Sequence, residues 1–394
     1  MSSRSNTTDP PFHFKAARGS HIWDEQGRRY TDLTSGWNVV NAGWNCSEIR
    51  DDWHRHIDNL TYRPAWCIDD CYKWLEAALA DLAPGYVMIP SCSGGEGIDN
   101  ALKIARLVTG RPGVISIAGC YHGSNTGAAL AAGHDVSHLE ILDLERLRVV
   151  IPVPSGDADL PQIERQIRQS EEAGAIVFET VLTNAGCHVV STEFLSLISR
   201  LATELGILLI CDEIGKGLNR TGSLLSCQHR DIRPDIIVCG KALTNGLYPL
   251  SLCLASQNLV SFLDPEVFAS TFAGAPSASA AALATLRYHA EHDLGARTRQ
   301  TAAELRKRLL ENMSGLRFAA GLHGDGLEIA LHLNWVHGQS VGATPNGLLR
   351  NLRQKGIFAT LSPGDCHLMI MPPLNSEVAD LLTAADSIAD VVSI

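Results

Sequence analysis

Two charged residues follow apolar runs that leave them little access to water. Ile236 to Cys239 lie between Asp235 and Gly240 with no polar face, so they read as a short buried strand, and Lys241 follows its end. Asp212 follows the continuous run GILLIC, and Glu213 comes next. A buried carboxylate without a cation is costly, and the residues around Asp212 supply none. Lysine is rarely buried unpaired, so Lys241 raises the same question with the opposite sign; a salt bridge or a stem reaching the surface would answer it for Lys241 alone. The two residues are 29 positions apart (241 − 212), with room between them for a loop and a polar segment. A cofactor with a protonated ring nitrogen and an aldehyde satisfies both at once. Pyridoxal phosphate has these groups, together with a phosphate that needs a donor-rich helix start.

The elements that must position such residues can be read along the chain. Expected are a helix over 69–83, a strand over 86–90, a helix over 96–109 and strands over 113–118 and 175–179. A helix over 191–205 and strands over 207–211 and 236–239 follow. This alternation predicts a mostly parallel sheet covered by helices, whose chemistry lies at the carboxyl ends of its strands. After the 86–90 strand, Ser93-Gly94-Gly95 lead into a helix with Glu96 in its first turn, a candidate phosphate cradle or simply a tight turn. After the next strand, Tyr121 and His122 lie in a Gly-rich loop, where an aromatic could stack on a planar ligand or fill core. Glu179 ends the run AIVFE, either orienting a polar group or as an exposed carboxylate. GSHIWDEQGRRYTDL, residues 19–33, reads as a hairpin turning at Glu25-Gln26-Gly27, and a long helix starts near Pro276.

Composition bounds the function. The 394 residues are 45% apolar and 19% charged, enough for a large core and two domains. A net charge of −11, from 32 basic and 43 acidic residues, disfavours nucleic acid and anionic membrane as partners. The polar, Pro-containing start MSSRSNTTDPPFHF lacks a signal-peptide core, so a frayed start and a cytoplasmic location are expected. The 11 cysteines are scattered mostly within apolar runs, as buried thiols. Cys67 and Cys71 form a close pair without a second pair or clustered histidines, so no metal is expected.

The order and spacing of several segments make the chain resemble the class III (ornithine and omega-amino acid) aminotransferases, a branch of the fold type I pyridoxal phosphate enzymes. The match runs through FLSLISRLATELGILLICDEIGKGLNRTGSLLS and RPDIIVCGKALTNGLYPLS. It extends to GSHIWDEQGRRYTDLTSG, SGGEGIDNALKIAR, YHGSNTGAAL, STFAGAP and the terminal MPPL. The resemblance implies an α/β fold with a large domain, built on a mostly parallel seven-stranded-type sheet, and a small α+β domain from both termini. The expected division is 1–55 and 293–394 for the small domain and 56–292 for the large one. It implies Lys241 as the Schiff-base lysine and Asp212 as the partner of the pyridine nitrogen. Ile214 would lie beneath the ring and Tyr121 above it, with Glu179 near the ring and substrate side. Gly94 and Gly95 would bind the phosphate through backbone N–H groups. Thr271 would reach the phosphate in the neighbouring subunit, so the implied unit is a homodimer with shared active sites.

The departures fall where substrate is read. Gly215 stands where the family usually has Gln after its DEV-type strand end. Glu179-Thr180-Val181-Leu182-Thr183 replaces a Glu-Pro-Val-Gln-Gly-type segment, and Gly43-Trp44-Asn45-Cys46-Ser47 replaces Gly-His-x-His-Pro. Met369 occupies the place of a carboxylate-binding Arg, for which Arg220 and Lys216 are candidate substitutes. Trp37 and Trp44 suggest a flat or ring-bearing group near the entrance, or simply tryptophan packing. The expected activity is amino transfer on an amino-bearing specialised metabolite. The alternatives are elimination, replacement, C–C bond formation or racemisation on an amino-acid-derived substrate, or a catalytically silent binding protein.

Overall fold

The structure, a computed structural model, describes residues 12–58, 60–133, 144–154, 156–314, 319–333, 344–364 and 366–392. The expected frayed start lies largely outside the described residues. A seven-stranded sheet runs in the order Tyr86–Ser91, Ser251–Ser256, Ile236–Cys239, Leu208–Asp212, Ala173–Phe178, Gly113–Ile117, Arg148–Ile151. Ser251–Ser256 alone runs against the others, pairing antiparallel with both neighbours.

The sheet's register explains why its central strands read as unbroken apolar runs. Alternate residues serve opposite faces: Ile176, Phe178, Leu209, Cys211, Ile237 and Cys239 enter one core, while Ala175, Val177, Leu208, Ile210, Ile236 and Val238 enter the other. Covering helices include Asp70–Leu82, Gly94–Thr109 and Thr192–Leu205. Each begins at a side chain that accepts a first-turn N–H: Asp69 from Tyr72, Ser93 from Glu96, Ser191 from Phe194. Gly110 and Gly206 close the last two in the left-handed region, at φ 69° and 62°.

The expected hairpin forms from His21–Asp24 and Arg29–Asp32. Arg29–Asp32 also pairs in parallel with Ile357–Phe358, so the beginning and the later part of the chain share one sheet. A second sheet joins Ala319–Asp325, Glu328–Leu333, His367–Ile370 and Thr360–Leu361. The long helix Pro276–Glu291 starts where its proline predicts. Among the described residues, no helix is long and apolar enough to cross a membrane.

Candidate active site

The six co-directional strands of the large sheet deliver their carboxyl ends to one edge, where a cavity of about 340 Å³ opens. Gly94, Gly95, Tyr121, Glu179, Asp212, Ile214 and Lys241 all line it. Thr271 does not; it sits in an exposed turn outside its own chain's cavity. Asp212 is the last residue of its strand rather than the first beyond it, in register with Val238, which fixes the aspartate beside the turn that carries Lys241.

The partner that Asp212 lacks locally is His122. His122 Nδ1 lies 2.6 Å from Asp212 Oδ2, with both side chains sealed from water. An ionised carboxylate only accepts, so Nδ1 carries the proton and donates it to this bond. The Ile214 amide donates to Oδ1 at 2.9 Å. Burial pushes the Asp212 carboxyl up, but the His122 bond and charge outweigh it and hold the group below its ordinary range. Sequence placed His122 in the right loop and gave it no role.

Lys241 sits just past its strand with φ 45°, a left-handed conformation unusual for a side chain other than Gly or Asn. Burial and then the charge of Lys216 lower its amine below the usual lysine value. Glu179, expected either beside a ligand or in solvent, is buried. It accepts from the Thr183 amide at 3.2 Å and stands 3.5 Å from Lys216 Nζ. Lys216 is also 3.7 Å from Glu328 Oε1, donates to Thr183 Oγ1, and is 2% exposed.

The glycine turn is a helix start. The helix begins at Gly94, two residues before the expected Glu96, because Ser93 caps it and Glu96 reaches back to the Cys92 amide at 2.8 Å. The Glu96 amide goes to Ser93, so the first-turn N–H groups of Gly94 and Gly95, which precede the helix's own ladder, face the cavity end. A Cβ at Gly94 would come within 2.9 Å of Ile214 Cδ1, and one at Gly95 within 2.9 Å of Asn125 Oδ1. Only glycine leaves this approach open.

Residues 2–392 match the family described as Aminotransferase class-III. The chain belongs to this family. Members depend on pyridoxal phosphate, and so does this enzyme. The mitochondrial ornithine aminotransferase of Arabidopsis thaliana is 27% identical over 407 residues, covering 100% of this chain and 83% of that protein. The 5-aminovalerate aminotransferase DavT of Pseudomonas aeruginosa is 29% identical, covering 82% of this chain and 79% of that one. Among solved structures, a taurine:2-oxoglutarate aminotransferase from Bifidobacterium kashiwanohense, in complex with PLP and glutamate, shares the fold. Its TM-score is 0.89 at 24% identity, over 100% of this chain and 95% of that one.

This class III aminotransferase keeps a site that fits the cofactor. It offers an amine at a strand end, an ionised buried carboxylate and a glycine cradle that a Cβ would fill. The substrate side differs. Met369 is fully buried in an apolar cluster with Val181, Cys187, Ala330 and Met371, against which Trp37 packs. Arg220 is no substitute for the missing arginine. It is wholly buried outside the cavity lining, with its two terminal nitrogens donating to Leu327 O, Pro372 O, Ser35 Oγ and Asn41 Oδ1. Trp44 is likewise structural: it does not line the cavity, and its Nε1 donates to Asp32 at 2.7 Å. Trp37 does line the cavity, at φ 66° within a run of left-handed residues from Ser35 to Asn38.

Spacing did not reveal two groupings: His122, Glu179 and Asp212, and Cys211, Glu213 and Cys227, each bring three potential ligand atoms within 4.8 Å of one another. In both, the carboxylates already accept hydrogen bonds, Glu213 from Ser226 and Cys227.

Proposed function

We propose that the enzyme transfers an amino group from a specialised, amino-bearing metabolite whose recognition does not rest on an arginine–carboxylate pair. What carries this reading is the contrast between the cavity and the core beside it: the residues fitted to the cofactor line the cavity, while Met369, at the family's arginine position, is buried outside that lining in an apolar cluster against which Trp37 packs. Met369 cannot make the paired charge-assisted bonds of a guanidinium, each worth roughly 1.5–3 kcal/mol.

When bound, pyridoxal phosphate supplies an aldehyde that captures an amine and a ring that draws electrons from the carbon beside it. In this reading Lys241 would hold the cofactor through its Nζ, and the same amine would serve as the base that accepts the proton of the substrate carbon. A lowered amine basicity suits that task, since a general base must be unprotonated at working pH. Asp212, braced by His122, would hold the ring nitrogen. The Gly94 and Gly95 amides would hold the phosphate, Ile214 and Tyr121 would hold the ring, and Glu179 would serve the substrate side.

The enzyme works as a homodimer with Thr271 serving the partner's site. What supports it is exposed apolar surface next to Thr271: Phe272, its neighbour in the chain, is 61% exposed, and Tyr62 packs its ring on Phe272. Its location is cytoplasmic, and its division into 1–55 with 293–394 and 56–292 is supported by the sheet shared between residues 29–32 and 357–358.

The test is an amine panel given to the cofactor-loaded enzyme, with and without keto acceptors, following the visible spectrum and products together. Alanine, glutamate and ornithine should turn over poorly as sole amines, and a larger amine should give keto product beyond one equivalent per active site only when an acceptor is present. Product beyond that single equivalent without any acceptor would replace amino transfer by elimination, replacement, C–C bond formation or racemisation. Borohydride reduction and peptide mapping should place the cofactor on Lys241, and a label on another lysine would refute the assignment.

A further inference from the structure

The cavity holds a second buried lysine, and its surroundings are built to keep it charged. Lys216 Nζ donates to Thr183 Oγ1 and stands 3.5 Å from Glu179 Oε1 and 3.7 Å from Glu328 Oε1. Thr183 in turn donates its hydroxyl to Glu328 Oε1 and its amide to Glu179 Oε2. Lysine, threonine and two carboxylates thus close on one another. Both glutamates are buried, and two buried anions side by side are tolerated only around a cation.

Gly215 gives this cluster an open line to Lys241. A Cβ at Gly215 would stand 3.6 Å from Lys241 Nζ, 3.8 Å from Asn38 Nδ2 and 3.9 Å from Thr183 Oγ1. The missing side chain therefore leaves a gap with Lys241 on one side and the hydroxyl that receives Lys216 on the other.

Resting on the assignment of Lys241 above, we infer that Lys216 is a positioning residue: a fixed ammonium, caged by Glu179 and Glu328 across Gly215 from Lys241, whose field opposes a second positive charge on the Lys241 nitrogen. A second cation beside a nucleophilic lysine is a recognised way of releasing its proton. The other charges around Lys241 act in the opposite sense. Asp212, Glu179 and Glu328 all favour the protonated form, and Lys216 exceeds each of them in effect. On Lys216 itself, burial favours proton loss, but Glu179 first and Glu328 next outweigh it, so its charge persists through the working range. Cys187, also near Lys216, has its thiol pushed up by burial and stays neutral.

The experiment follows the visible absorption of the full-length protein loaded with pyridoxal phosphate as pH is varied, in the parent and in Lys216→Met, Lys216→Arg and Lys216→Met/Glu328→Met. Lys216→Met should move the spectral midpoint up by about one pH unit or more, tenfold in the proton equilibrium. Lys216→Arg, which keeps the charge, should stay near the parent. The double variant guards against a fold weakened by an unpaired Glu328. It removes the stronger cation with the weaker anion, so its midpoint should still rise, by less. A parental midpoint in both methionine variants, or an equal rise in Lys216→Arg, overturns the inference while leaving the assignment of Lys241 intact. Cofactor absorption that survives Lys241→Ala unchanged overturns both.

Discussion

The 2.6 Å bond from His122 to Asp212 does what no residue near Asp212 in sequence could: it keeps a carboxylate ionised where water cannot reach it. Its loss should be felt at the cofactor before it is felt in the fold. Replacing His122 by Phe fills the loop position but removes the proton donor, and a bond to a charged group is worth about 1.5–3 kcal/mol. Pyridoxal phosphate should therefore bind the His122→Phe apoenzyme roughly tenfold to a hundredfold more weakly, with His122→Gln in between. Titration of apoenzyme by fluorescence or calorimetry measures this, and a parental affinity in His122→Phe would remove His122 from the site. Asp212 and Lys241 were legible in sequence because each sets a charge against an apolar run. His122 was not, because its partner is 90 residues away and its loop could equally have been surface. The Lys216–Glu328 pair was hidden the same way, its lysine lying in a charged, glycine-containing stretch with the form of an exposed loop.

The elements were more legible than their ends. Strands buried on both faces show themselves as unbroken apolar runs, and Ile236–Cys239 falls where those residues place it. Ser251–Ser256 escaped notice because serines close both ends of a run of only four apolar residues, and its reversed direction follows from pairing that no local pattern encodes. The Gly94–Thr109 helix was read as starting late because two glycines look like a loop until Ser93 is seen to cap them. Gly97, one turn further on, shows how closely this helix lies on the sheet. A Cβ there would stand 2.4 Å from Ser251 Oγ and 2.9 Å from Val238 Cγ1. Gly97→Ala should thus lose about 1–3 kcal/mol to overpacking, against a helix-propensity gain of up to about 1 kcal/mol. A lower urea midpoint with an unchanged slope is the expected result. A rise in the midpoint would mean that the helix and sheet separate more freely than their packing implies.

At the scale of the whole molecule, the cavity is assembled from parts far apart in the chain: Trp37 from the beginning, the strand ends of the large sheet, and Glu328 behind Lys216 from the later sheet. One proposed contributor, Thr271, is absent from that list because it lies exposed outside its own chain's cavity, next to exposed Phe272. If it completes the partner's site, two inactive chains can repair each other. In a hybrid of Lys241→Ala with Thr271→Ala, one site carries both defects and the other carries neither. Random pairing of equal amounts makes half the dimers hybrid, so about a quarter of the parental activity should return once the subunits exchange. Native mass spectrometry can establish that exchange has occurred, and activity is then measured on the same mixture. Verified hybrids with no recovery, from parents that are each strongly impaired, would show that every chain completes its own site and that Thr271 serves no partner.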